Sequence, residues 1–164
     1  MRFPVRSIAC LVLGALALPA ALAPAATKTA KFNVTATVQS DCTVTATNLA
    51  FGTVGILEGN VDATSTITIT CTPNTAYTLG LNEGTTAGST VDARFMSNGA
   101  ARLGFQLYSD SQHTQIWGIT DGVNTVGGTG TGQASDYTVY GRIPSQATPA
   151  TGNYITEITA TITY

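Results

Sequence analysis

The pattern of this chain predicts an all-β fold of the sandwich class. Short segments alternate apolar and polar residues with a period of two, and clusters of Gly, Asn, Asp and Ser separate them. No stretch beyond residue 26 carries apolar side chains at the spacing of an amphipathic helix. Abundant threonine, with valine, isoleucine and tyrosine, suits a pleated half-buried surface, and the 17 glycines suit tight turns.

The first element is not part of that fold. Arg2 and Arg6 precede an apolar run from Ile8 to Ala23, broken by Gly14 and Pro19, and the small residues Ala23, Pro24, Ala25 and Ala26 follow. A basic start, an apolar middle and an A-x-A site describe a secretory signal cleaved after Ala25 or Ala26. A retained anchor fits less well, because Pro19 interrupts the run and a spanning helix needs about 20 apolar residues. We therefore assign residues 1–25 to a signal peptide.

The strands follow in order. From Lys28 to Val38, Phe32, Val34, Ala36 and Val38 share one face, with Lys31, Asn33, Thr35 and Thr37 on the other. From Ser65 to Cys71, Ile67, Ile69 and Cys71 oppose Thr66, Thr68 and Thr70. Residues 75–81, 102–109 and 137–143 are further strands, and the last runs from Tyr154 to Tyr164 with Ile158, Ala160, Ile162 and Tyr164 in phase. Residues 82–98, 120–136 and 145–153 read as irregular loops at the sandwich ends. A length of 164 residues, without an internal repeat or linker, fits one domain after the signal.

Charge and cysteine usage narrow the function. Beyond the signal five cations remain (Lys28, Lys31, Arg94, Arg102, Arg142) against nine acids, a net charge of about −4. Nucleic acid and anionic lipid both select clustered Lys and Arg, so neither partner is expected. Cys10 leaves with the signal, and Cys42 and Cys71 form an even pair whose simplest state after export is a disulfide. Closing that loop of about 30 residues stabilises the fold by roughly 3–4 kcal/mol in the chain-entropy model. Two thiols and a single distant histidine make no tetrahedral metal site, so neither metal nor cofactor is expected.

An enzyme brings acids, bases or nucleophiles together, and no such set stands out. His113 sits in a polar turn and reads as an exposed turn residue rather than a general base. The acids are scattered, which leaves no glycosidase pair to nominate. Gly127 to Gly132 lacks the Lys-Ser/Thr and the helix of a phosphate loop, and reads as a loop. Asn33-Val34-Thr35 is a glycosylation sequon on a strand, a poor acceptor position.

The N-terminal strand carries a clean apolar face, and the body after Cys42 lacks one strand of a seven-stranded immunoglobulin-like sandwich. Such a body exposes an apolar groove and an unpaired edge, faults that a strand from another chain repairs. Periodicity alone does not separate donation from pairing within the chain's own sheet.

Several stretches carry a resemblance in their order: Cys42-Thr43-Val44, Leu49-Ala50-Phe51-Gly52, Ile67 to Cys71, Tyr77 to Leu81, and Arg94-Phe95-Met96. Leu103 to Tyr108, Trp117-Gly118, Gly128 to Gln133, Val139 to Pro144, and Gly152-Asn153-Tyr154 with the terminal strand continue it. The chain resembles the spore coat protein U domain family, which includes subunits of archaic (Csu-type) chaperone–usher pili. The resemblance implies an incomplete immunoglobulin-like sandwich, a six-stranded body plus an N-terminal donor strand. It divides the chain into signal peptide 1–25, donor strand 26–39 and domain 40–164. It makes Phe32, Val34, Ala36 and Val38 donor-strand plugs, Cys42 and Cys71 the disulfide, and Ile158, Ala160, Ile162 and Tyr164 the chaperone-contact edge.

The implied partners are sister subunits, a periplasmic chaperone and an outer-membrane usher, without membrane insertion. The implied location is an extracellular fimbria reached through the periplasm, serving adhesion and biofilm formation. A tip adhesin or carbohydrate-binding module, with Trp117, Tyr108 and Tyr140 stacking on sugar, is one alternative. A coat protein assembled without an usher is another.

Overall fold

The computed structural model describes residues 24–164. The chain divides into two units, Met1–Ala36 and Thr37–Tyr164, each treated by itself. The expected signal peptide lies outside the described residues apart from its last two positions. In the first unit residues 24–36 form neither helix nor strand, and Phe32 and Val34 are each 85 % exposed. No helix among the described residues is long and apolar enough to cross a membrane.

The second unit holds eight strands: β1 (Cys42–Ala46), β2 (Val61–Cys71), β3 (Ala76–Leu81), β4 (Arg94–Asn98), β5 (Ala101–Tyr108), β6 (Val126–Thr129), β7 (Ala134–Ile143) and β8 (Ala160–Thr163). They form a five-stranded sheet in the order β1-β2-β7-β5-β4 and a three-stranded sheet in the order β6-β3-β8. Every ladder is antiparallel. The expected all-β sandwich is the fold.

Alternation explains the layers. On β2, Ile67, Ile69 and Cys71 are buried between half-buried threonines; on β7, Val139, Gly141 and Ile143 point inward. Tyr77, Leu79 and Leu81 of β3 face them, with Leu103, Phe105 and Leu107 of β5 and Trp117 filling the space between. Trp117 donates its indole N–H to the Leu79 carbonyl at 2.9 Å, which satisfies the polar tip that burial would otherwise orphan. The Cys42–Cys71 disulfide joins directly opposed residues of β1 and β2.

The body has eight strands where six were expected. β4 and β6 lie within stretches read as loops, since β4 is five residues and β6 four, too short for alternation to show. Gly127 and Gly128 therefore belong to a strand rather than a loop. Gly128 gives up its side chain to the rings of Tyr77 and Tyr137, whose hydroxyls bond at 2.7 Å, and a Cβ there would meet the Tyr77 oxygen at 2.5 Å. The last strand is shorter than expected. Only Ala160–Thr163 pair with β3, and Ile155 makes a separate antiparallel bridge with Ser97.

Candidate functional site, an open groove between the sheets

A groove of about 890 Å³ opens between the sheets. Its floor is Ile67, Phe105, Leu107 and Val139 of the larger sheet with Leu81 of the smaller. One wall is residues 46–51, which leave β1; the other is Ile155 to Ile158 with Ala160, which lead into β8. The lining is mostly apolar, and Ile155, on the rim, is 70 % exposed.

Both walls present unpaired backbone. β8 is the end strand of its sheet, bonded on one side to β3 alone among the described residues. Opposite it, residues 48–56 make no backbone–backbone hydrogen bond among the described residues. Leu49 and Phe51 nonetheless pack inward, Phe51 edge-on to Phe105 with centroids 6.4 Å apart. β1 and β8 converge at one end, where the Tyr164 hydroxyl lies 3.2 Å from Asp41 Oδ1. The site is thus apolar at its floor, with residues 48–56 free of backbone bonds on one side. On the other, Ile155 and Glu157 bond away to Ser97 and Thr85, and the backbones of Thr156 and Ile158 are left without partners among the described residues. That is the chemistry of a place for an extended peptide strand.

The sequence-derived residues distribute unevenly around it. Ile158 and Ala160 line the groove, Ile162 packs on the core beyond its end, and Tyr164 is exposed. Val38, in the same unit, is 84 % exposed and in no strand. The wall residues Leu49 and Phe51 and the floor residue Phe105 were not singled out as site residues. The wall shows in the sequence as an apolar pair two residues apart, within the Leu49-Ala50-Phe51-Gly52 stretch of the resemblance, but with no partner to alternate against.

Two polar clusters lie outside the groove. Arg94 is 1 % exposed, and its guanidinium donates to the carbonyls of Asn82 (2.9 Å), Val91 (3.2 Å), Leu81 (2.9 Å) and Trp117 (2.7 Å) and to Gln106 Oε1. Burial pushes its pKa down to about 10, against the opposing charges of Glu83 and Asp92. This clamp binds the chain after β3 to β4, β5 and the Trp117 segment.

The second cluster corrects the reading of His113. It is in a turn, at φ 57°, but its side chain is only 9 % exposed. The ring packs edge-on against Tyr108 and Tyr140, and its Nε2 lies 3.7 Å from Asp62 Oδ1. Two neighbouring strands each supply a tyrosine that a polar turn sequence does not reveal. Arg142 holds Asp62 by two 2.7 Å bonds, which lower the Asp62 carboxyl below its ordinary value of 3.8 despite some opposing burial. Tyr108 and Tyr140 are thus committed to His113, and Trp117 is core. Among the described residues no group of three or more His, Cys, Asp or Glu is placed to hold a metal ion.

The model of the Spore Coat Protein U domain matches residues 28–161. The chain belongs to the Spore Coat Protein U domain family. Among solved structures, this Spore Coat Protein U domain is similar to a chain in the crystal structure of the CsuC-CsuE chaperone-tip adhesion subunit pre-assembly complex from archaic chaperone-usher Csu pili of Acinetobacter baumannii. The match has a TM-score of 0.60 at 24 % identity and covers 78 % of this chain and 40 % of that one. The Spore Coat Protein U domain chain thus spans less than half the length of that relative, and the likeness shows the fold. No curated protein matches it.

Proposed function

We propose that this chain is a structural subunit of an extracellular chaperone–usher pilus that polymerises by donor-strand complementation. The observation that carries the reading is an open apolar groove in a chain whose alternating apolar segment at residues 28–38 lies in no strand. Phe32, Val34 and Val38 are almost fully exposed, and the groove walls carry unsatisfied edges. Exposure of three large side chains in one period-two row is costly, since burying each is worth roughly 1.5–3 kcal/mol.

In this reading residues 26–39 of one subunit enter the groove of the next. Phe32, Val34, Ala36 and Val38 point at its floor, while the donor backbone bonds to β8 on one side and to the wall at residues 48–51 on the other. Ala36, the smallest of the four, suits a shallow position. Before assembly a periplasmic chaperone covers the same edge, contacting the strand of Ile158, Ala160, Ile162 and Tyr164, and an outer-membrane usher exports the product. Residues 1–25 direct export, and the finished fibre serves adhesion and biofilm formation. The chemistry is assembly rather than catalysis.

The test is to purify the chain from cells with and without its chaperone and run unheated samples on SDS gels. A ladder that collapses to one band on heating is expected. Deletion of residues 27–38 should leave a body that still binds chaperone but stops the ladder. A ladder of normal length from that deletion would refute the reading.

A further inference from the structure

Gly141 is an inward-facing position of β7, between Val139 and Ile143, where a side chain would normally fill the core. Its place is taken from above. A Cβ built on Gly141 would lie 2.8 and 2.9 Å from the two δ carbons of Leu49 and 3.1 Å from Phe51 Cζ. Leu49 and Phe51 belong to the groove wall that lacks backbone hydrogen bonds, so little but these packing contacts fixes where that wall stands. φ at Gly141 is not in the left-handed region, and the glycine is needed for room rather than for backbone freedom.

We infer that Gly141 is a positioning residue for strand docking: its missing side chain is the notch that seats Leu49 and Phe51 and so sets the width of the groove. A methyl group there meets the tips of flexible side chains and not backbone. The fold can therefore accommodate it, and the displaced tips have open space in the groove that both residues line. The inference rests on the donor-strand reading and assigns a role within that site.

The experiment follows polymerisation of the refolded, oxidised full chain by the unheated-gel ladder, with disulfide content and circular dichroism checking the fold. Gly141→Ala should slow ladder formation about tenfold, the usual scale of one overpacked methyl group, with the fold unchanged. Leu49→Ala alone should also slow it, because it thins the wall. The double variant Gly141→Ala/Leu49→Ala should come close to Leu49→Ala alone, since the two nearest contacts are gone and the remaining one, to Phe51 Cζ at 3.1 Å, needs a shift of only a few tenths of an ångström. A Gly141→Ala ladder at the wild-type rate would overturn the inference and leave the donor-strand reading standing. So would a double variant slower than Leu49→Ala by the full Gly141→Ala factor. If Gly141→Ala does not accumulate as folded chain, the double variant decides: recovery to the Leu49→Ala rate supports the role, and failure to recover overturns it. A wild-type chain that makes no ladder removes the premise as well.

Discussion

Arg94 carries its charge into the interior, where four carbonyls and a Gln106 oxygen accept its hydrogen bonds. Replacing it with Leu would leave those acceptors buried and unpaired, and each buried acceptor left without a donor costs about 1–3 kcal/mol. A urea titration of the oxidised chain should show a midpoint far below wild type. Arg94→Lys should fall in between, because an ammonium has three donors and no planar fork. Nothing in the period-two pattern pointed to this clamp, for Arg94 falls in residues 82–98, which read as an irregular loop. Asp62 makes a milder case, being nearly half exposed in its bond to Arg142. Its folded carboxyl titrates below its ordinary value, so its stabilisation is complete above that value and disappears as pH falls through the lowered one. Asp62→Asn should cost no more than about 1 kcal/mol at neutral pH. The gap to wild type should close in strong acid, which unfolding midpoints measured from neutral pH downward would show.

Strands long enough to alternate were legible, and short ones were not. Residues 65–71, 75–81, 102–109 and 137–143 were expected as strands and appear within or across β2, β3, β5 and β7. β1, β4 and β6 escaped because four or five residues give too few repeats, and β6 is half glycine. Residues 28–38 alternate as well as any strand, yet form none, because a ladder needs a partner as well as a pattern. The glycines around β6 show how element ends are fixed. At Gly130 a Cβ would meet the Thr72 carbonyl oxygen and the Cβ of Cys71, whereas at Gly127 the nearest atom is 3.7 Å away. Gly130→Ala should destabilise the oxidised chain by about 1–3 kcal/mol, as overpacking against fixed backbone does. Gly127→Ala should leave its midpoint close to wild type. Reduction of Cys42–Cys71, which staples β1 to β2 beside that corner, should cost roughly 3–4 kcal/mol in the same assay.

In the proposed assembly, chain direction favours a donor from another molecule over the chain's own N-terminal segment. Tyr164 meets Asp41 at the converged end, so β1 leaves that end as β8 arrives at it. A segment just before β1 must travel toward that end if it lies in its own groove, which makes it parallel to β8. It must then reverse within the few residues between Val38 and Cys42. A segment attached after Tyr164 has the opposite sense: one tight turn sends it back along β8 as an antiparallel partner, the more stable pairing. Moving residues 28–40 from the N-terminus to a position after Tyr164, through an Asn-Gly turn, should therefore give a monomer that completes itself. It should form no ladder on unheated gels, and its urea midpoint should exceed that of the body lacking residues 27–38. The difference should reach several kcal/mol, from burial of one Phe and two Val side chains. The same graft with Val34→Asp should lose most of that gain, because a carboxylate cannot be buried on an apolar floor without a partner. Equal midpoints for the graft and the bare body would mean that the groove does not take this strand in the antiparallel sense.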